Sequence, residues 1–414
     1  MQKKLIALAI AGLSSAAFAQ SNVTISGQMK VGFADVSAKG ATVAGASLTS
    51  RARVEDNNSN IRFSGEENLG GGMAAFFQVE SAIGTSDNIG TTGAQGAGAT
   101  STGIGTRNTA VGLKGGWGMA LMGKWDAYYN SVAGVDGMGL ADGHGLATSS
   151  LSILHTNGNG NGFGGRLNNV VAYATPNFSG FDALIAYSAT IGANANEDTR
   201  ANMAGKEKGW YFNPKYTNGP IHVFFAHLRA NNVGAIPVTP AAGDSGVNVR
   251  ANRLGAAYTF PMGLKIGLVW DKNKVEVADG NNVLAALGVA ATGGNVGVHS
   301  RRERTAWALP IQYTTGAHKV NFTYAWAGNL KTNALGVNST LGDSKARMWT
   351  LGYEYALSKR TSVAASYLAI NNGQNGRYDG WHPSSSVSGS QAVAGALPYG
   401  ADPRVLQFNV RHAF

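Results

Sequence analysis

Large apolar residues alternate with small or polar residues along several stretches of the chain. In KVNFTYAW every second residue is large and apolar, namely Val320, Phe322, Tyr324 and Trp326. Successive side chains of a β-strand point to opposite faces, so a period of two predicts a strand with one apolar and one polar face. The two ends of the chain follow the same pattern, in NVTISGQMKVGF at 22–33 and in RVLQFNVRHAF at 404–414.

Segments of this kind predict about sixteen strands in the chain. They lie near residues 22–34, 59–68, 72–82, 107–115, 118–125, 166–175, 180–190, 208–217, 220–230, 250–260, 263–276, 301–314, 317–328, 344–356, 359–371 and 404–414. Short turns alternate with long loops at 35–58, 83–106, 126–165, 191–207, 231–249, 277–300, 329–343 and 372–403. An even number of antiparallel strands, with short turns at one end and long loops at the other, is typical of outer-membrane β-barrels.

The last strand predicts how such a barrel closes. If it pairs with the first strand near Asn22, neither strand leaves an unpaired edge. The apolar face of the last strand, which ends at Phe414, would then contact lipid, and Asn409 and Arg411 would face the lumen. A secreted β-sandwich or β-solenoid is the alternative, because strands in those folds also alternate.

The first twenty residues predict export. Lys3 and Lys4 precede an apolar stretch that begins at Leu5, and Ala17-Phe18-Ala19 has the form of a cleavage site. We therefore expect a signal peptide at 1–19 and a mature barrel domain at 20–414. No later stretch of the sequence is apolar over the length that a spanning helix needs.

Composition narrows the chemistry further. The chain has 58 glycines among 414 residues, which disfavours a helical protein, and it has no cysteine for a disulfide or a thiolate site. The formal net charge is +10, but an exported protein rarely meets nucleic acid, so we expect no nucleic-acid partner. The eight histidines show no ligand spacing, and we expect neither a metal nor a cofactor.

Several segments together resemble Gram-negative general porins of the β-proteobacterial type. These are SNIRFSGEENLGGGMAAFFQVES, RNTAVGLKGGWGMALMGKWD, NNVVAYATPNFSGFDALIAYS, YALSKRTSVAASYLAINNG and the terminal VRHAF. The resemblance runs from Asn22 to Phe414. It implies a transmembrane antiparallel barrel of sixteen strands, a homotrimer in the outer membrane of a Gram-negative bacterium, and contacts with lipid and lipopolysaccharide. It also implies passive diffusion of small hydrophilic solutes, and a role for the terminal Phe414 in recognition of the last strand by the barrel-assembly machinery.

The resemblance implies a basic constriction as well. In this anion-selective branch, the long third loop, here 126–165, folds into the lumen and narrows it beside a basic cluster on the barrel wall. Arg107 and Arg166 match pore arginines of the family, and Lys124 stands where the family usually has arginine. Asn60 occupies another usual arginine position, and Arg62, two residues on and on the same face, is expected to substitute for it.

The charge pattern supports this expectation without the family. Residues 126–165 contain three acids, Asp126, Asp136 and Asp142, and no lysine or arginine. Basic residues on the inferred lumen faces are Lys30, Arg62, Lys124, Lys215, Arg253 and Arg411, and the acids there are fewer, Glu80, Asp271 and Glu354 among them. Lysine and arginine rings around a pore favour anions by Coulomb attraction.

The sequence therefore predicts a general diffusion porin without catalytic activity, through which anions pass preferentially. Alternatives are a substrate-selective channel for an organic anion or a sugar, an adhesin or structural barrel, and a barrel enzyme. The enzyme would use a histidine–acid site in the third loop, where His144 and His155 accompany Asp142.

Overall fold

The computed structural model of the chain describes residues 23–85, 104–136, 150–155, 166–189, 208–233, 247–277, 300–334, 337–381, 386–387 and 397–414. The predicted signal peptide, 1–19, lies outside these ranges. Asp142 and His144 of the third loop also lie outside them.

The described residues form nineteen strands, all paired antiparallel. The first ten are β1 (Thr24–Lys39), β2 (Leu48–Asp56), β3 (Asn60–Gly70), β4 (Met73–Ala82), β5 (Thr109–Gly115), β6 (Gly118–Asp126), β7 (Arg166–Ala174), β8 (Phe181–Ser188), β9 (Lys208–Asn218) and β10 (Ile221–Val233). The others are β11 (Val247–Thr259), β12 (Leu264–Val277), β13 (Ser300–Thr315), β14 (His318–Ala327), β15 (Leu330–Ala334), β16 (Val337–Leu341), β17 (Ala346–Ala356), β18 (Thr361–Asn372) and β19 (Asp402–Ala413).

Helical structure in these ranges is confined to two short turns between β6 and β7. One is a 3-10 turn at Tyr128–Val132 and the other an α-helical turn at Leu151–Leu154. No helix in the described part of the chain is long and apolar enough to span a membrane.

The strands make a closed barrel of sixteen, as predicted. β2 and β3 both pair with β1 and follow one another, so they form one barrel strand that is interrupted at 57–59. In the same way β15 continues β14 along β13, while β16 and β17 pair with β15 and β14. β19 pairs with β1 from Gln28↔Ala413 to Lys39↔Asp402, which closes the barrel between the two ends of the chain.

Alternation sets the two faces of the wall. Along β17 buried and exposed positions alternate, and the exposed ones include Trp349, Leu351 and Tyr353. On β19 the exposed side chains are Leu406, Phe408 and Val410, while Gln407 and Asn409 are buried. The apolar outward face and polar inward face are those of a barrel in lipid, and they confirm the orientation predicted for the last strand.

Two predicted loops contain strands that the apolar pattern did not indicate. β2 lies inside the predicted loop 35–58, and β15 and β16 lie inside the predicted loop 329–343. Asp35 is exposed beside Ser50, whose hydroxyl donates hydrogen bonds of 2.5 and 2.8 Å to its carboxylate. The outer face of the wall is polar at this height, so the strand loses the apolar alternation by which it would be recognised.

The short turns use glycine where the backbone requires it. Gly263 has φ +84° in the turn between β11 and β12, and a Cβ atom there would lie 2.2 Å from the carbonyl oxygen of Thr314. Only glycine fits such a position without displacing the neighbouring strand.

Candidate functional site

Two of the predicted arginines share one carboxylate on the inner wall. Arg62 of β3 lies opposite Glu80 of β4 in the strand register, and an Arg62 terminal nitrogen is 2.9 Å from Glu80 Oε2. Arg107, just before β5, donates to Glu80 Oε1 through its Nε. The same guanidinium donates to Asn58 Oδ1 at 2.6 Å. Glu80 therefore holds two cations of the predicted cluster next to one another.

A third arginine is paired at the next junction along the wall. Arg166, the first residue of β7, lies opposite Asp126, the last residue of β6, with Nε to Oδ1 at 3.0 Å. Asn108 joins the two residues, since its Oδ1 accepts from Arg166 at 3.0 Å and its Nδ2 donates to Asp126 at 2.9 Å. Asp126 was predicted as a loop acid, and the structure places it at the end of a strand.

Lys124 lies on the same sheet region but contacts a different group. Its Nζ donates to the carbonyl oxygen of Gly105 at 3.4 Å. Gly123, immediately before it, has φ +147°, and the pairing of β6 with β7 shifts in register between Gly123 and Trp125. This irregularity places Lys124 outside the simple alternation of the strand.

The break between β2 and β3 organises these contacts. Asn58 has φ +82°, and the Asp56 carboxylate accepts the backbone N–H groups of Asn58 and Ser59 at 2.7 and 2.9 Å. Asn60 and Gln28 donate side-chain amides to the Asn58 carbonyl at 3.1 and 3.2 Å. Asn60 therefore supports the backbone that presents Asn58 to Arg107. The DNNS run in the sequence is typical of such a turn.

The other two predicted loop acids have different outcomes. Asp136 accepts a hydrogen bond from the hydroxyl of Ser150, so it joins two described parts of the third loop to one another. Asp142 lies outside the described residues, and no contact is assigned to it.

On the wall of β11–β13, inward arginines hold the third loop. Asp271 Oδ2 accepts from the Tyr128 hydroxyl at 2.6 Å and from Arg253 Nε at 2.9 Å, and Asp271 Oδ1 accepts from Arg304 at 2.7 Å. Arg253 also donates to the carbonyls of Tyr128 and Leu154. We define Tyr128, Arg253, Asp271 and Arg304 as the loop anchor.

The loop anchor corrects the expectation for Arg253. The sequence placed this residue among the charges that line an open lumen, and it does face inward. Its side chain, however, is completely buried, as are those of Asp271 and Arg304. Because the third loop covers it, Arg253 acts on loop carbonyls and not on passing solutes.

The second described part of the third loop, residues 150–155, meets the last loop of the chain. Arg304 donates to the carbonyls of Ile153 and Leu154, the latter at 2.9 Å. The backbone N–H of Trp381 donates to Ser152 Oγ at 2.9 Å, and the Trp381 ring packs edge-on against His155 with centroids 4.0 Å apart. The described parts of the loop thus contact the inner wall along β9–β14.

The histidine of the enzyme hypothesis lies in this packed contact. His155 is buried between the Tyr128 ring and the Trp381 ring. Among the described residues, no group of three or more histidine and acidic side chains is arranged to hold a metal ion.

Comparisons with known proteins agree with the barrel fold. A family model described as Gram-negative porin matches residues 5–375. Outer membrane porin protein 32 of Delftia acidovorans is 28% identical over 426 aligned residues, which cover 100% of both chains.

Solved structures that share the fold include two outer-membrane proteins. The anion-selective porin from Comamonas acidovorans has a TM-score of 0.63 at 22% identity and covers 95% of this chain and 100% of its own. The trimer form of OmpT, an outer membrane protein of Vibrio cholerae, has a TM-score of 0.59 at 13% identity and covers 95% and 99%.

Proposed function

The chain belongs to the Gram-negative porin family, and from that premise we propose that its pore prefers anions because of the basic wall formed by β3–β7. As an outer-membrane porin it lets small hydrophilic solutes diffuse passively through a water-filled barrel. Membership of this family indicates a channel rather than an enzyme.

The charge balance of the predicted cluster carries the proposal. Arg62, Arg107, Lys124 and Arg166 bring four positive charges to neighbouring strands. Among the described residues, they form ion pairs with two carboxylates, Glu80 and Asp126. The excess is positive, and a charged wall beside a narrow water path acts on ions at several ångströms. Arginine suits this role because its guanidinium stays charged at any physiological pH.

The third loop supplies the narrowing in this proposal. Its described parts lie against the inner wall and are fixed there by the loop anchor. With one side of the lumen occupied, ions pass closer to the opposite wall, where the basic cluster lies. Sieving by width and electrostatic bias then act at the same height.

The test is the reversal potential of the purified protein in a planar bilayer under a KCl gradient. We expect large stepwise conductance with a potential that favours chloride. A potential that favours potassium would retain the porin and reject the assignment of the basic cluster. A folded, detergent-stable protein without conductance would reject the channel itself.

We also propose a homotrimer with lipid and lipopolysaccharide around it. The trimer form of the Vibrio cholerae protein with the same fold supports this assembly. Chemical cross-linking of the purified protein should give a species of three chains. Finding only the single-chain species would contradict the trimer.

Residues 1–19 are proposed as a leader that is removed on export. A separate proposal is that the barrel-assembly machinery recognises the last strand through Phe414. N-terminal sequencing of the protein from outer membranes should begin at Gln20. A sequence that begins at Met1 would show that no leader is cleaved.

A further inference from the structure

Two further cations face one another across the seam that closes the barrel. Lys30 of β1 lies directly opposite Arg411 of β19 in the strand register. Side chains that are directly opposite have Cβ atoms about 4.5–5.5 Å apart, and like charges in such a pair are destabilising. The seam therefore holds a repulsive pair that needs compensation.

Within the described residues, Lys30 has no compensating partner. Its side chain is fully buried, and its Nζ makes no hydrogen bond. A buried ammonium without a partner is unfavourable by several kcal/mol, so such a group is normally paired or gives up its proton. This orphan donor is the observation that indicates a ligand.

Arg411 is held in one orientation with its terminal nitrogens left over. Its Nε donates to Gln28 Oε1 at 2.8 Å, and this is the one hydrogen bond that the described residues give to the guanidinium. The Arg411 side chain is partly exposed, whereas the neighbouring Lys30 is fully buried. Gln28 thus acts as a positioning residue for the two terminal nitrogens.

The charged groups that act on Lys30 are Arg411, Arg107, Asp56 and Glu354. Both carboxylates have other partners. Asp56 accepts two backbone N–H groups and the Thr85 hydroxyl, the latter at 2.8 Å. Glu354 Oε2 lies 3.5 Å from Lys319 Nζ. Neither is within ion-pair distance of Lys30 or Arg411.

We propose that Lys30 and Arg411 bind an oxyanion, such as inorganic phosphate or a small carboxylate, at the seam between β1 and β19. A guanidinium with its two terminal nitrogens available matches two oxygens of one anion, and the adjacent ammonium adds a point charge. A halide is a single acceptor atom, so it gains less from the two terminal nitrogens of the guanidinium, which form a fork. The seam site makes the pore selective among anions, which rests on the anion preference proposed above and goes beyond it.

The test uses inorganic phosphate as the probe and chloride current as the readout. Phosphate added to the intact porin in a planar bilayer should reduce chloride conductance in a saturable way. Arg411→Gln should raise the half-blocking concentration about tenfold or more, the loss expected for one charge-assisted hydrogen bond. Lys30→Gln should raise it as well, because the charge next to the guanidinium is lost. The double variant should show no saturable block.

Two further variants separate the seam site from the general charge of the lumen. Lys215→Gln removes an inward cation that is 3.1 Å from Asp182, and it should keep the phosphate block. Arg411→Lys keeps the charge and removes the fork, so it should keep the chloride preference and weaken the block. This variant also guards against a failure of Lys30→Gln to fold.

The outcomes distinguish this inference from the proposed function. A wild-type pore that prefers chloride but shows no saturable phosphate block rejects the seam site and leaves the anion preference intact. A block that Lys215→Gln weakens as much as Arg411→Gln also rejects the site, because general lumen charge would then explain it. A pore that prefers potassium rejects the anion preference first.

Discussion

The two basic regions of the inner wall use arginine in opposite ways. In the wall of β3–β7, Arg62, Arg107 and Arg166 meet side-chain carboxylates and amides at strand junctions. In the loop anchor on β11–β13, Arg253 and Arg304 are fully buried and donate to backbone carbonyls of the third loop. Both sets face inward, and the alternation of the strands alone cannot tell them apart.

The difference comes from where the third loop lies. An inward arginine under the loop has lost its water, so it is satisfied by fixed carbonyls and by Asp271 and becomes part of the packing. Away from the loop, Arg62 keeps a path to the solvent, with 43% of its side chain exposed. Arg107 and Arg166 are largely buried, at 11% and 3%, and would act on ions through the field of their charge. The same residue type therefore holds the third loop on one wall and is proposed to select ions on the other.

The largest expected effect comes from breaking the loop anchor. Asp271→Asn keeps the size of the side chain and removes the negative charge between Arg253 and Arg304, which leaves two buried cations without a counter-charge. Loss of one partner of a buried ion pair costs about 3–5 kcal/mol. We expect the free energy of unfolding of the purified protein to fall by an amount in that range. Circular dichroism in denaturant measures it.

Asp182→Asn is the matched control for this change. Asp182 is 3.1 Å from Lys215, but both side chains are about a third exposed. A solvent-exposed pair contributes about 0–1 kcal/mol, so the control should unfold nearly as the wild type does. Equal shifts for the two variants would show that the loop anchor has no special role in stability.

A smaller effect is expected at the seam. The Phe414 backbone N–H and carbonyl exchange hydrogen bonds of 3.1 and 3.0 Å with Gly27, and the Phe414 ring is exposed on the outer face. Deletion of Phe414 removes both bonds and an outward aromatic, a loss of about 2 kcal/mol at roughly 1 kcal/mol for each bond. We expect less assembled protein in the outer membrane, measured by the heat-modifiable band on a gel.

Phe414→Tyr keeps the backbone bonds and the aromatic ring, so its assembly should match the wild type. If the deletion variant assembles at normal levels, recognition of the last strand does not depend on its terminal residue. If the fraction of the deletion variant that assembles has unchanged ion selectivity, Phe414 acts in assembly, and ion selection belongs to the basic wall.

The sequence predicted the barrel strands because lipid and lumen impose a strict alternation on them. The prediction of a strand near 344–356 agrees with β17 at Ala346–Ala356, where the outward residues are large and apolar. It missed β2, because Asp35 and Ser50 make the outer face polar there. Where the strand rises out of the apolar zone, the physical cause of the pattern is lost.

The partners of the predicted site could not be predicted from residue spacing. Arg62 and Glu80 meet because of the register between β3 and β4, and Arg107 joins them from outside the strand. To predict that Arg253 is buried, one would need to know where the third loop lies, and the sequence of that loop has no periodic pattern. Charge and face could be read from the sequence, but burial under the loop depends on tertiary packing.

A still smaller effect is expected when the basic wall is weakened. Changing both Arg107 and Arg166 to Ser leaves two cations, Arg62 and Lys124, beside Glu80 and Asp126, so the local excess of positive charge is lost. We expect the chloride-to-potassium permeability ratio to fall about threefold, or ~0.7 kcal/mol, since salt screens the wall charges. Reversal potentials measure this, and the cross-linked trimer should persist.

Arg253→Gln tests the other half of the comparison. Because Arg253 lies under the loop, this variant should lower stability more than selectivity. If Arg253→Gln lowers chloride selectivity as much as the double change of Arg107 and Arg166 does, the arginines under the loop also act on the ion path. The division between the two walls would then be wrong.

The smallest expected effect sharpens the basic wall. Asn60→Arg adds the arginine that the sequence resemblance leads us to expect, on the same inward face as Arg62. Its donors can replace the 3.1 Å hydrogen bond of Asn60 to the Asn58 carbonyl. One added charge beside water is worth only about 0.4 kcal/mol, a factor of about two in permeability ratio. Asn60→Gln, which is uncharged, is the control. A lower chloride preference in Asn60→Arg would mean that the added side chain displaces Arg107 from Asn58, so that the geometry of the break between β2 and β3 matters more than its charge.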